Sequence, residues 1–198
     1  MTPMEMLLNR ASQDSLTAPA PSASELSDIL ATAMRAPDHG KLRPWRYVII
    51  EGEARPLAAE RIVASMLRLD AHAPQSKIDK RRDRFSNMPM IIALGMHLRP
   101  DNKIPLWEQE MTVAAGAMNI LNALSATGFG GVWVSGDITE DPVLAAEIGF
   151  EAPHKLAGFL FVGTPAGQNT PLPRRPDPEQ FTARWLGSPV TFTADSKE

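Results

Sequence analysis

Arg35-Ala36-Pro37-Asp38-His39-Gly40-Lys41-Leu42-Arg43-Pro44-Trp45, running on into Arg46-Tyr47-Val48-Ile49-Ile50, reads as a helix end, a tight polar loop and the entry into a buried strand. Pro37 and Pro44 restrict the loop backbone. Arg35, His39, Lys41 and Arg43 crowd cationic and imidazole groups onto it or its edge. A rigid loop of this composition between two core elements suits an anionic small molecule.

Working outward, Ser22-Ala23-Ser24-Glu25 is a capping box, and Leu26, Ile29, Leu30, Ala33 and Met34 then recur at helical spacing. This predicts an amphipathic helix from Ser22 to about Arg35. Thr2-Pro3-Met4-Glu5 opens a shorter helix ending near Arg10. Beyond the loop, the pattern predicts a strand at Trp45–Ile50, a helix from near Pro56 through Leu67, and a second buried strand at Met90–Met96. Residues 74–87 are dense in charge, with Lys77, Lys80, Arg81, Arg82 and Arg84, and read as a solvated helix face. Pro105 opens the longest helix, which Gly128 closes. The small residues Ala114-Ala115-Gly116-Ala117 inside it permit close approach of a backbone or a bound ring. Gly130–Val134 is a third strand, Asp141–Ile148 a short helix and Leu156–Val162 a fourth strand. From Gly163 onward, Pro165, Pro171, Pro173, Pro176, Pro178 and Pro189 describe an extended arm. The expectation is one domain over 1–198 with a Pro-rich arm at 163–198, in an α/β or α+β layer fold.

Composition limits the chemistry. With 198 residues, 43% of them hydrophobic, the chain has material for a full core. A net charge of −3 speaks against a nucleic-acid binder working through a broad basic field. Cys is absent, which excludes disulfides, thiolate metal sites and a Cys nucleophile. His39, His72, His97 and His154 are widely spaced, so no metal is expected. No apolar run has the length of a membrane span. The N-terminus carries Glu5 and lacks a basic start followed by an apolar core, so the expectation is a soluble cytoplasmic protein. Nucleophile-elbow and P-loop motifs are absent, and Gly128-Phe129-Gly130-Gly131 precedes a strand where a dinucleotide fingerprint would follow one. Glu108-Gln109-Glu110 could supply a base but reads as a solvated helix face. What remains is a set of phosphate-capable groups in separate segments: Arg10 and Ser12, the 35–45 loop, Trp133-Val134-Ser135-Gly136 at a strand end, and Arg174-Arg175.

Several strings resemble the nitroreductase family of FMN flavoproteins over nearly the whole chain, and within it the short, single-domain NAD(P)H nitroreductases. In order, they are Asn9-Arg10-Ala11-Ser12; Met34-Arg35-Ala36-Pro37-Asp38-His39 leading to Pro44-Trp45; Trp107-Glu108-Gln109-Glu110-Met111; Gly128-Phe129-Gly130-Gly131-Val132-Trp133; and Gly158-Phe159-Leu160-Phe161-Val162-Gly163-Thr164-Pro165. The resemblance implies an α+β fold with a central, mostly antiparallel sheet flanked by helices, the long helix at a homodimer interface and the arm embracing the partner.

It implies FMN at that interface. Arg10, Ala11 and Ser12 would hold the phosphate and ring edge. Arg35 and His39 would contact the flavin of the other subunit, and Trp133, Val134 and Ser135 would run beside the isoalloxazine mainly through backbone groups. Arg175 would set a cation against phosphate from the arm. Residues 123–128 resemble a segment assigned to NAD(P). The implied reaction is ping-pong: NADH or NADPH gives hydride to the flavin, which passes it to a nitro compound or quinone-like acceptor. No side-chain acid is required, and a backbone donor at Ser135 or Gly136 would lie near flavin N5. Alternatives are a relative with another redox substrate (desaturation, dehalogenation), a non-catalytic flavin-binding dimer and a structural dimer. The chain departs from the family pattern at Ala11, where a second Arg is frequent, and at Val134, where close relatives carry Arg. Lys41 and Arg43 stand where Gln and a small polar residue are common.

Overall fold

The computed structural model describes residues 2–167 and 175–197. The chain divides into two compact units, Met1–Gln168 and Asn169–Glu198. In the first, helices α1 (Pro3–Asn9), α2 (Ala23–Ala33), α3 (Ala54–Leu69), α4 (Gln75–Asn87), α5 (Leu106–Ala126) and α6 (Pro142–Glu147) alternate with strands β1 (Leu16–Thr17), β2 (Trp45–Glu51), β3 (Met90–His97), β4 (Gly130–Val134) and β5 (His154–Pro165). Short 3-10 turns cover His39–Lys41 and Asp137–Glu140. β5 pairs with β1, β3 and β4, and β3 pairs with β2, all antiparallel. The fold is therefore α+β, an antiparallel sheet flanked by helices.

Local chemistry explains the helix starts. Thr2 with Glu5, and Ser22 with Glu25, form reciprocal capping boxes at α1 and α2. The Asp141 side chain accepts from Val143 N to cap α6. Gly128 takes φ +85 just past α5, where a side chain would be strained.

The sheet is buried on both faces, so its central strands read as continuous apolar runs. Ile91, Ala93, Phe159 and Phe161 point to one layer with Ile62 and Met66 of α3 and Phe85 of α4. Met90, Ile92, Leu94, Leu160 and Val162 point to the other, with Ile29 and Ala33 of α2 and Ala117, Ile120 and Leu124 of α5. Phe85 meets the Phe159 and Phe161 rings edge-on at 5.3 and 4.9 Å.

The bounds of two elements differ from the sequence reading, and one strand was not foreseen. α3 starts at Ala54, two residues before Pro56, which is tolerated in a first turn. β1 is too short to show a period, and pairing alone makes it a strand. β5 begins at His154 and runs on to Pro165, so Gly163–Pro165 belong to the sheet and not to the arm. The second unit holds two further 3-10 turns, Pro178–Phe181, capped by the Asp177 side chain, and Thr193–Lys197.

Candidate active site

β4 carries the first group of expected site residues. Gln13 N donates to Gly131 O at 3.0 Å, which ties the Arg10–Ala11–Ser12 segment to the start of the strand. Val134, Ser135 and Gly136 stand at its other end, about 13 Å away at the rise of an extended strand. Ser135 and Gly136 are exposed. Gly136 has φ +126, and a Cβ there would meet nothing within 4 Å, so its backbone is open. Trp133 turns its indole back onto the sheet, where Nε1 donates to Ala157 O at 3.3 Å. A Cβ on Gly158 would strike that indole, so a glycine is required opposite it. Trp133 thus commits its indole N–H to the sheet and not to a ligand at the end of β4.

The loop of the opening stretch carries the second group. The Asp38 carboxylate accepts from Leu42 N at 3.0 Å and Arg43 N at 2.8 Å. It thereby holds Lys41 and Arg43 in the left-handed region, at φ 54 and 51. Thr112 Oγ1 donates to Pro37 O at 2.9 Å and fastens the loop to α5. His39 Nδ1 lies 2.8 Å from Glu108 Oε2. Glu108, read from sequence as a solvated face, is therefore the partner that orients this imidazole and leaves Nε2 outward. His39, Glu108, Pro37, Trp107, Met111, Thr112 and Ala115 line a cavity of about 260 Å³. Arg35 is exposed at the loop entrance.

Within one chain these groups stay apart. The cavity at His39 shares no lining residue with the two at Ser135. Arg175 belongs to the second unit, and Arg174 lies outside the described residues.

The structure also brings together groups that spacing kept separate. His97 Nδ1 and His154 Nε2 are 3.2 Å apart across the β3–β5 pair. Burial, and then the charges of Arg46, His154 and Arg99, hold His97 below the ordinary histidine value. No group of three His, Cys, Asp or Glu is placed to hold a metal among the described residues. No described helix is long and apolar enough to cross a membrane.

The other grouping concerns α4, whose charged face is solvent-accessible as expected, with Lys77 and Lys80 exposed. Lys77, Lys80, Arg81 and Arg84 line a cavity of about 420 Å³ with Val134 and Ser135. Lys77, Arg81, Ser135 and Gly136 also border a smaller one of about 70 Å³ with Asp70 and Asp137. The charged stretch is thus one wall of the β4-end site. The signal was present in the sequence: positions 77, 80, 81 and 84 follow i, i+3, i+4, i+7 and share a helix face.

Comparison with known proteins places this arrangement. Residues 7–164 match the model of the Nitroreductase family. The chain is 38% identical over 183 residues to the "Putative NAD(P)H nitroreductase YdjA" of Escherichia coli K12, covering 91% of this chain and 98% of that one. Its fold is similar to that of a nitroreductase-like family protein from Bacillus cereus, with TM-score 0.79 and 23% identity over 94% of this chain and 97% of the other. It is also similar to a "putative nitroreductase in complex with fmn" from Desulfovibrio desulfuricans, with TM-score 0.69 and 20% identity over 96% and 99%. The chain belongs to the nitroreductase family and is an oxidoreductase of that family.

Proposed function

We propose that the protein is an FMN-dependent NAD(P)H oxidoreductase, a cytoplasmic homodimer that moves hydride by a ping-pong exchange from NAD(P)H to a nitro compound or quinone-like acceptor. The observation that carries this reading is the layout of β4. The segment that carries Arg10 and Ser12 is joined to its start through Gln13 N and Gly131 O, and open backbone at Ser135 and Gly136 stands at its end. That donor set fits FMN: charge-assisted bonds for a phosphate at one end, and backbone N–H groups with no side chain in the way for a flat ring at the other. Bound FMN supplies the hydride-accepting and hydride-donating chemistry. The role of the chain is to anchor the phosphate, present N–H groups along the ring edge and keep the imidazole of His39 fixed by Glu108.

The dimer reading rests on α5. Its inner face packs on the sheet, while Trp107, Met111 and Met118 form an outer stripe that is 57%, 62% and 45% exposed. Such a stripe marks an interaction surface. The cavity at His39 opens on the same stripe, and in the proposed dimer the Arg35–His39 loop of one copy faces the β4 site of the other. In this arrangement the two groups of residues that stay apart in one chain meet across the interface.

The purified protein is expected to be yellow and to lose that colour anaerobically on addition of NADPH or NADH. A protein that takes up no FMN, or whose flavin stays oxidised with both nucleotides, overturns the reading. Arg10→Ala is expected to weaken FMN binding roughly ten- to hundredfold in a fluorescence titration. Unchanged affinity would remove Arg10 from the phosphate site.

A further inference from the structure

α4 sorts its side chains into three stripes. Ile78 and Phe85 face the core. Arg82 bonds to Glu60 of α3 at 2.6 Å and to Asp79 at 3.1 Å, which neutralises a second stripe. The third, Lys77, Lys80, Arg81 and Arg84, faces the cavity at Val134 and Ser135. Among the described residues none of these four is in an ion pair within 4.0 Å. Arg84 is steadied by the Phe161 ring, whose centroid is 5.1 Å from its guanidinium carbon. Arg81 is half-buried beside Arg84. Its burial and that neighbouring charge hold it below the ordinary arginine value, with Asp137 as the opposing influence. A chain of net charge −3 thus concentrates four cations on one wall of a cavity. Asp70 and Asp137 border the smaller cavity beside Lys77 and Arg81 but pair with none of the four, so cations outnumber acids on this wall, and an anionic ligand would offset the excess.

We propose that the α4 stripe binds the phosphate groups of the second substrate and makes NADPH the preferred hydride donor over NADH, an inference that rests on the function proposed above. The position argues for this ligand. In that function the FMN phosphate lies at the Arg10–Ser12 end of β4, so cations at the Ser135 end are left for an anion arriving at the ring. The length argues too. From Lys77 to Arg84 the stripe rises about 10 Å, a span suited to several phosphates and longer than a single carboxylate needs. Two guanidiniums among the four provide forked donors matched to phosphate oxygens.

The test uses the FMN-loaded protein and, as redox-inert probes, 2′,5′-ADP and 5′-AMP in a calorimetric titration. The expected result is binding of 2′,5′-ADP at least roughly tenfold tighter than 5′-AMP, weakening as salt is raised. Lys80→Glu, an exposed position, and Arg84→Gln should each erase most of that difference and move the NADPH:NADH ratio of kcat/KM towards unity. Equal binding of the two probes overturns the proposal, as does an unchanged preference in Lys80→Glu. The two readings fail separately. Reduction by both nucleotides with equal kcat/KM sinks the α4 assignment and leaves the oxidoreductase reading standing. Tight, Lys80-dependent binding of 2′,5′-ADP without reduction by either nucleotide supports the phosphate site and sinks the hydride-donor role.

Discussion

At the scale of single residues, Tyr47 is the most exposed to test, because it is the chain's one tyrosine. Its Oη is buried with no hydrogen-bond partner among the described residues. Burial pushes the phenol up to about 12, against about 10 for an unfolded tyrosine. The unfolded chain therefore loses this proton first. Stability from Tyr47 is present below about pH 10 and declines as the pH climbs towards 12. An absorbance titration of the phenolate should show a single late transition. Tyr47→Phe removes an unsatisfied hydroxyl and is expected to raise stability by about 1 kcal/mol in urea unfolding. A comparable loss would mean that the hydroxyl is paired. The residue type was readable in the sequence, but its isolation was not. It depends on which helix covers β2, and that position is more than sixty residues away.

At the scale of elements, α5 shows how one helix can carry two apolar faces. Gly116 sits on the inner one, and a Cβ there would lie 2.9 Å from Tyr47 Oη and 3.7 Å from Ala33 Cβ of α2. The small-residue run is thus a close helix contact at Gly116, while Ala115, one residue earlier, lines the cavity at His39. Gly116→Ala is expected to lose about 1–2 kcal/mol through overpacking against the hydroxyl, despite its better helix propensity. Combined with Tyr47→Phe, the same change should be neutral or gain up to about 1 kcal/mol, and the cycle of urea midpoints should be clearly non-additive. Additive midpoints would mean that the two groups do not touch. The long helices and the four longer strands were legible because caps, period and breakers act between neighbours in sequence. β1 was not, because two residues carry no period. The α4 face was legible only in part for a related reason: helical spacing groups four cations on a solvated face but does not say that Val134 and Ser135 lie across a cavity from them.

At the scale of the whole molecule, one buried ion pair joins α3 to the start of α6. Arg68 donates to Asp141 Oδ2 through Nε at 3.0 Å and Nη2 at 2.7 Å. Asp141 is 5% exposed and Arg68 35%. Burial alone would push the Asp141 carboxyl up, yet the nearby Ser65 hydroxyl, the Arg68 guanidinium and the Val143 N–H hold it below the usual value. A depressed carboxyl stabilises the fold above the unfolded value of about 4, and that stability is lost as the pH falls through its lower folded value. Arg68→Ala strands a buried carboxylate and is expected to cost about 2–3 kcal/mol, less than a fully buried pair because Arg68 is partly solvated. Asp141→Asn should flatten the fall in stability below about pH 4, and an unchanged acid profile would show that other carboxyls govern it. The sequence by itself determined the elements, their caps and ends, the apolar strands of a two-sided sheet and the order of motifs that marks the family. Each of these is written in residues close together along the chain. Only the tertiary structure decided that Glu108 meets His39, that Arg10–Ser12 lies at the start of β4, that Tyr47 has no partner and that the α4 cations face Ser135. Those contacts join distant positions. They are set by strand register and by which helix covers which sheet face, and a linear pattern supplies a period without naming the partner.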